Sequence, residues 1–202
     1  MENLELNEEQ LSVDALGEPR VPSPLGLSTV LGDNIANYVD ESETVMCHHN
    51  RSVVENRLRE GAPLPAFEKA GPRQSIYFDP SGTSAGIVTC GGLCPGINNV
   101  IRSLVMSLHY RYRVNTVFGF RFGFRGFIPR YGLQPVDLRP EKVADIHEKG
   151  GSILGSSRGH QDIGEVVDCL ERMNLSLLFI IGGDGTLAAA GKIHREIGRR
   201  GM

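Results

Sequence analysis

The feature that most constrains this chain is the passage from Leu175 to Thr186. The apolar run LSLLFII stops abruptly at Gly182-Gly183-Asp184-Gly185-Thr186, and LAAAGKIHREI follows. A short continuous apolar run reads as a strand buried on both faces. A glycine turn with helix-forming residues behind it completes a strand–loop–helix unit. Such units assemble into a parallel sheet with helices on both sides.

The pattern recurs upstream. AGIVTC is a β-favouring run ending in Gly91-Gly92. Beyond Pro95-Gly96, residues Ile97, Val100, Ile101, Leu104, Val105 and Leu108 fall at helical spacing. Val114 to Phe120 is a second strand candidate. Pro140 opens a short helix, EKVADIHEKG, stopped by Gly150-Gly151, and Ile163 to Met173 is another helix. The expected architecture is a three-layer α/β lobe with a mainly parallel sheet over residues 81–202. Residues 1–80 differ. Pro19, Pro22, Pro24, Pro63, Pro65 and Pro72 punctuate them, only short apolar stretches lie between, and Val53 to Arg59 has room for a helical turn or two. They read as an N-terminal extension that is partly irregular.

Composition excludes several classes. The net charge of −3 argues against a nucleic-acid surface, and no run of 18 apolar residues suggests a membrane span. The acidic N-terminus MENLELNEEQ has neither the basic start nor the apolar centre of a secretory signal. The expected location is cytoplasmic, where the four cysteines stay reduced. Cys90 and Cys94, and the Cys47-His48-His49 triplet, lack the further ligands that a zinc site needs.

In parallel sheets ligands sit at the carboxyl ends of strands, so both glycine loops belong on one edge. Glycines there let phosphate oxygens reach backbone N–H groups at the positive end of the next helix. Asp184 brings a carboxylate to that point, suited to holding Mg²⁺ directly or through water. Thr186 has the chemistry to cap the helix or to donate to a phosphate. The plainer reading is a strand-to-helix turn with Asp184 or Thr186 as its cap. The first loop, Cys90 to Gly96, reads as a second phosphate cradle or a generic turn; it is neither G-x-G-x-x-G nor a Walker A loop. A third segment, Gly150 to Gly159, ends in Arg158-Gly159. Its guanidinium is suited to a phosphate, the alternative being a solvated surface arginine.

Together G-G-L-C-P-G-I-N-N, G-F-R-F-G-F-R-G-F, G-G-S-I-L-G-S-S-R and I-G-G-D-G-T closely resemble the phosphofructokinases, in that family's order and approximate spacing, over residues 76–202. IVTCGGLCPG, behind a YFDP segment and a long extension, resembles the long-chain subgroup of plants, some protists and some bacteria. The resemblance implies an ATP-dependent 6-phosphofructokinase: ATP phosphorylates fructose 6-phosphate to fructose 1,6-bisphosphate in glycolysis, with Mg²⁺, in a homo-oligomer when complete. By residue, it implies that Gly92 lies at the ATP phosphates and that Arg158 bridges nucleotide phosphate and sugar phosphate. Gly159 joins the nucleotide contact. Gly183, Asp184, Gly185 and Thr186 form the phosphate and magnesium loop. Phe124 falls where short-chain members often have a tyrosine beside the nucleotide. Pyrophosphate-using members typically carry aspartate where Gly185 stands, so the resemblance implies ATP as donor.

The family's base is an aspartate in a T-I-D-N-D motif, which follows G-G-D-G-T by one helix and one strand; no such motif occurs here. The chain therefore reads as the N-terminal portion, with an incomplete lobe. The alternatives are a pyrophosphate-dependent phosphofructokinase and a non-catalytic nucleotide-binding fragment. An NAD kinase would share G-G-D-G-T but leaves the G-S-S-R loop and CGGLCPG unexplained.

Overall fold

Six prolines between Pro19 and Pro72 leave space for only short elements, and short elements form. The computed structural model describes residues 11–202. It divides into two compact units, Met1–Tyr77 and Phe78–Met202. In the first, β1 (Val21–Pro22) pairs antiparallel with β4 (Ser75–Ile76), and β2 (Thr44–Met46) pairs antiparallel with β3 (Ala66–Glu68). Helix α1 (Arg51–Arg59) starts at Asn50, whose side chain accepts from the Ser52 N–H at 3.1 Å.

The second unit is built on β5 (Ser84–Thr89), β6 (Thr116–Phe120), β7 (Val136–Asp137) and β8 (Leu177–Ile181), in the order β7-β6-β5-β8. β5 pairs in parallel with both β6 and β8, while β7 runs antiparallel to β6. The helices are α2 (Ile97–Met106), α3 (Pro140–Val143), α4 (Ile163–Arg172) and α5 (Asp184–Arg200).

Strand side chains alternate between faces, and each face has its own core. On one, Ala85, Ile87 and Val117 pack with Ile97, Ile101 and Val105 of α2 and with Val143 and Ile146. On the other, Val88 and Phe120 pack with Phe127, with Val166, Val167 and Leu170 of α4, and with Ile193 of α5. Full burial of such side chains contributes about 1.5–3 kcal/mol each. The result is three layers: α2 with α3, the sheet, and α4 with α5. Arg200 ties the last two helices together, pairing with Asp168 at 2.6 Å on α4 and with Glu196 at 2.8 Å on α5.

Three details depart from the sequence reading. The segment after Pro140 is not one helix: α3 ends at Val143, and a separate 3₁₀ turn covers Ile146–Glu148. The break lets Val143 and Ile146 both enter the same core. Beyond α2 the chain continues as a π-helical turn, Ser107–Arg111. β8 is not buried on both faces. All five of its residues are half-buried, because among the described residues it pairs with β5 alone and forms an edge.

Candidate active site

β5 and β8 are adjacent and parallel, yet the chain leaves them for opposite faces: β5 leads into α2, β8 into α5. That divergence lies beyond their carboxyl ends, the place where sheets of this type bind ligands. Both helices begin there without a capping side chain. Gly96 precedes α2 in a left-handed conformation (φ 91°), and Gly183 precedes α5. At the start of α5 the Thr186 and Leu187 N–H groups donate to the Gly183 carbonyl at 2.8 and 3.0 Å. The N–H groups of Asp184 and Gly185 have no intrahelical acceptor and point out of the helix end. Asp184 is exposed in this first turn, and side chains at Gly183 or Gly185 would meet nothing within 4 Å. The open edge has the form of an anion cradle.

Thr186 does not cap the helix. It lies in the first turn, 7% exposed, and its Oγ1 would stand 3.6 Å from a Cβ at Gly91. Its position brings the two glycine loops together beneath the open edge. The Cys90 N–H donates to the Ile181 carbonyl at 2.8 Å, continuing the β5–β8 pairing into the loops. The Cys90 thiol is pushed up to about 11 by burial, against which a backbone N–H of Phe124 acts only weakly. Such a thiol packs in the core and is not a nucleophile.

The G-S-S-R segment joins the first loop directly. The Gly91 N–H donates to the Ser157 carbonyl at 3.2 Å, and the Ser156 hydroxyl to the Gly91 carbonyl at 2.6 Å. Arg158 is thereby carried to the first loop, where a Cβ at Gly92 would stand 4.0 Å from its Nη2. Gly159 follows on the exposed surface with φ 98°. Gly92, Arg158, Gly159 and the Gly183–Thr186 turn thus lie on three loops that meet at one sheet edge. Phe124 is different. It is 9% exposed and belongs to the apolar cluster with Phe120 and Phe127, so its ring faces the core. The exposed aromatic ring of that segment is Phe122, at 38%.

Sequence reading missed the side chains that brace these loops. Thr89, the last residue of β5, donates to the Gly155 carbonyl at 2.6 Å and shares a 2.8 Å hydrogen bond with the Ser152 hydroxyl. Asn98, 2% exposed, donates to the Lys149 carbonyl at 2.8 Å and accepts from the Ile153 N–H at 2.9 Å. The only sequence signal for Asn98 is its place in the first turn of an amphipathic helix where an apolar residue would otherwise stand.

Mg²⁺ is most often held by one or two carboxylates, with substrate phosphates and waters completing its octahedron. The donor set fits that mode. Asp184 stands exposed beside open space, and among the described residues no group of three or more His, Cys, Asp or Glu is placed to cage an ion.

Comparison with known proteins agrees with this geometry. Residues 84–200 match the phosphofructokinase family. The ATP-dependent 6-phosphofructokinase of Amycolatopsis methanolica is 44% identical over 197 residues, 98% of this chain and 43% of that protein. The one from Entamoeba histolytica is 52% identical over 134 residues, 66% of this chain and 30% of the relative. The chain thus spans less than half the length of the curated relatives it matches. Among solved structures, the pyrophosphate-dependent phosphofructokinase of Marinobacter aquaeolei aligns with a TM-score of 0.52 at 18% identity, covering 59% of this chain and 31% of that one. Pichia pastoris phosphofructokinase in the T-state aligns at 0.51 and 22% identity, covering 67% and 16%. These two share the fold. The match over residues 84–200 runs from the first residue of β5 to the last of α5 and so takes in all three converging loops: the chain belongs to the phosphofructokinase family.

Proposed function

We propose that the protein carrying these residues transfers a phosphoryl group from ATP to fructose 6-phosphate, giving fructose 1,6-bisphosphate and ADP in glycolysis, in the cytoplasm. The observation that carries the reading is the convergence of two uncapped helix N-termini and Arg158 on one sheet edge. Phosphoryl transfer depends mainly on positioning and on charge stabilisation. The N–H groups of Asp184 and Gly185, with the positive end of α5, hold phosphate oxygens. The Gly92 loop holds them from the opposite side. Arg158 places a guanidinium between the nucleotide phosphates and the incoming sugar phosphate, with Gly159 beside it. Asp184 would hold Mg²⁺, which when bound neutralises charge on the phosphates. The sugar hydroxyl oxygen forms the new bond to the γ-phosphorus, and the bond from that phosphorus to the β–γ bridging oxygen breaks, releasing ADP. The hydroxyl proton passes to a base that is not assigned to any residue of this chain.

ATP is the donor we favour over pyrophosphate. Gly185 leaves open space next to the helix end, where an aspartate side chain would crowd and repel the α-phosphate. The curated relatives named above carry the ATP-dependent name. The test is ADP release dependent on fructose 6-phosphate, run with ATP and with pyrophosphate on the parent and on Gly185→Asp. The substitution is expected to lower kcat/KM for ATP at least about tenfold, roughly 1.4 kcal/mol, more than for pyrophosphate. Unchanged use of ATP would overturn the steric reading.

A further inference from the structure

Arg158 is exposed, and among the described residues no ion pair or side-chain hydrogen bond holds it. Its place is set by the backbone before it, and one flank of that backbone rests on an aromatic residue the functional reading has not used. Phe122 has left-handed backbone, φ 57° and ψ 48°. A β-unbranched but bulky residue seldom adopts that conformation without a structural reason. Two contacts give the reason. The Phe122 N–H donates to the Leu154 carbonyl at 2.8 Å. The Phe122 ring covers Gly155 so closely that a Cβ there would stand 2.8 and 2.9 Å from Cδ1 and Cε1. The fit is reciprocal. A Cβ on Gly123 would stand 2.8 Å from the Ser157 hydroxyl and 3.3 Å from its backbone nitrogen. One glycine on each strand of the contact therefore makes space for a side chain of the other. The Arg121 guanidinium lies 5.2 Å from the Phe122 ring centroid and backs it.

We propose that Phe122 is a positioning residue for Arg158: its ring, wedged on Gly155, fixes where the G-S-S-R loop stands against the first glycine loop. This rests on the reading of Arg158 as the phosphate-bridging group. Thr89 and Ser156 fix the loop by hydrogen bonds to Gly155 and Gly91, and the Phe122 ring packs directly on Gly155. Without the ring, the Gly155 end of the loop loses its packing, the hydrogen bonds to Thr89 and Gly91 are left to hold it, and the guanidinium moves off its phosphate. A displacement of about 1 Å at a reacting centre lowers turnover about a hundredfold.

The test uses the enzyme carrying this segment at its relatives' full length, with kcat, the KM for ATP and the melting temperature measured for each variant. Phe122→Asn removes the ring while keeping a residue that tolerates left-handed backbone. It is expected to lower kcat about thirtyfold with the melting temperature close to the parent's, and Phe122→Tyr is expected to recover most of that loss. Gly155→Ala, whose Cβ drives into the ring, is expected to lower kcat as well and covers the case in which Phe122→Asn does not fold. In the Arg158→Ala background either change is expected to have no further effect on kcat, because each acts through Arg158. A parent-like kcat for both Phe122→Asn and Gly155→Ala overturns the proposal, as does a loss that multiplies with that of Arg158→Ala. If Arg158→Ala itself turns over at the parent rate, the role given to Arg158 fails, and this inference fails with it.

Discussion

The two compact units hold themselves together in different ways. Among the described residues of Met1–Tyr77 only Leu11 and Pro65 are buried. Order there comes from polar contacts. Arg73 donates to the Val39 and Asp40 carbonyls at 3.1 and 2.8 Å, to the Lys69 carbonyl at 2.7 Å and to Glu68 at 2.7 Å. The Ser42 hydroxyl and N–H, both donating to Asp40, hold its carboxyl below the usual range, and Lys69 does the same for Glu43. In Phe78–Met202 the balance is reversed, with two apolar clusters on opposite faces of one sheet. The difference teaches where a rigid site can be built. Close-packed apolar layers hold loop ends rigidly, whereas a network of polar contacts at or near the surface is more easily rearranged. The three loops that converge at Gly92, Arg158 and Gly183 all spring from the packed unit.

The strongest way to break this comparison is at the chemistry. Asp184→Asn is expected to reduce magnesium-dependent turnover by about a thousandfold or more, roughly 4 kcal/mol in barrier, as loss of a charge-stabilising group does. Steady-state kinetics on the full-length protein measures it. A comparable fall from Arg73→Met would show that the chemistry is not confined to the second unit.

The next effect is on stability. Ile87 is fully buried at the centre of the sheet, and Ile87→Ala is expected to destabilise the protein by about 3 kcal/mol through lost burial and the cavity left behind. The matched change in the first unit, Leu64→Ala, removes a half-buried side chain and is expected to lower stability by less than about 1 kcal/mol. Denaturant unfolding compares them, and similar losses would refute the contrast in how the units are held.

The smallest effect sharpens the picture of the first unit. Arg73→Met removes the side-chain donor to the Val39 and Lys69 carbonyls and leaves the Asp40 carbonyl with only the Glu43 N–H, which is expected to cost about 1–2 kcal/mol locally. It should show as faster proteolysis within residues 39–73 while turnover stays near the parent value. Cleavage at the parent rate would mean that Arg73 does not organise the segment.

The sequence by itself determined the α/β class, the three parallel strands and the long helices, because hydrophobic periodicity and glycine punctuation are local signals. It also placed the two glycine loops on one edge, since a strand–loop–helix order leaves little choice, whereas the Gly150–Gly159 loop follows no strand and is brought there by the hydrogen bonds of Ser156 and Ser157 with Gly91. Only the tertiary structure decided what depends on contacts between distant residues. Thr89 meets Gly155 across 66 positions, and Asn98 meets Ile153 across 55. No spacing rule encodes either partner. The exposure of β8 was likewise set by its neighbours: its apolar run fits a doubly covered strand, but among the described residues it pairs with β5 alone and is half-buried. The clearest case is the pair Phe122 and Phe124, two residues apart in G-F-R-F-G-F-R-G-F. Their types are identical, and the backbone alone separates them, a left-handed turn at Phe122 holding one ring at the surface against Gly155 while the 3₁₀ turn that follows sends the other into the core.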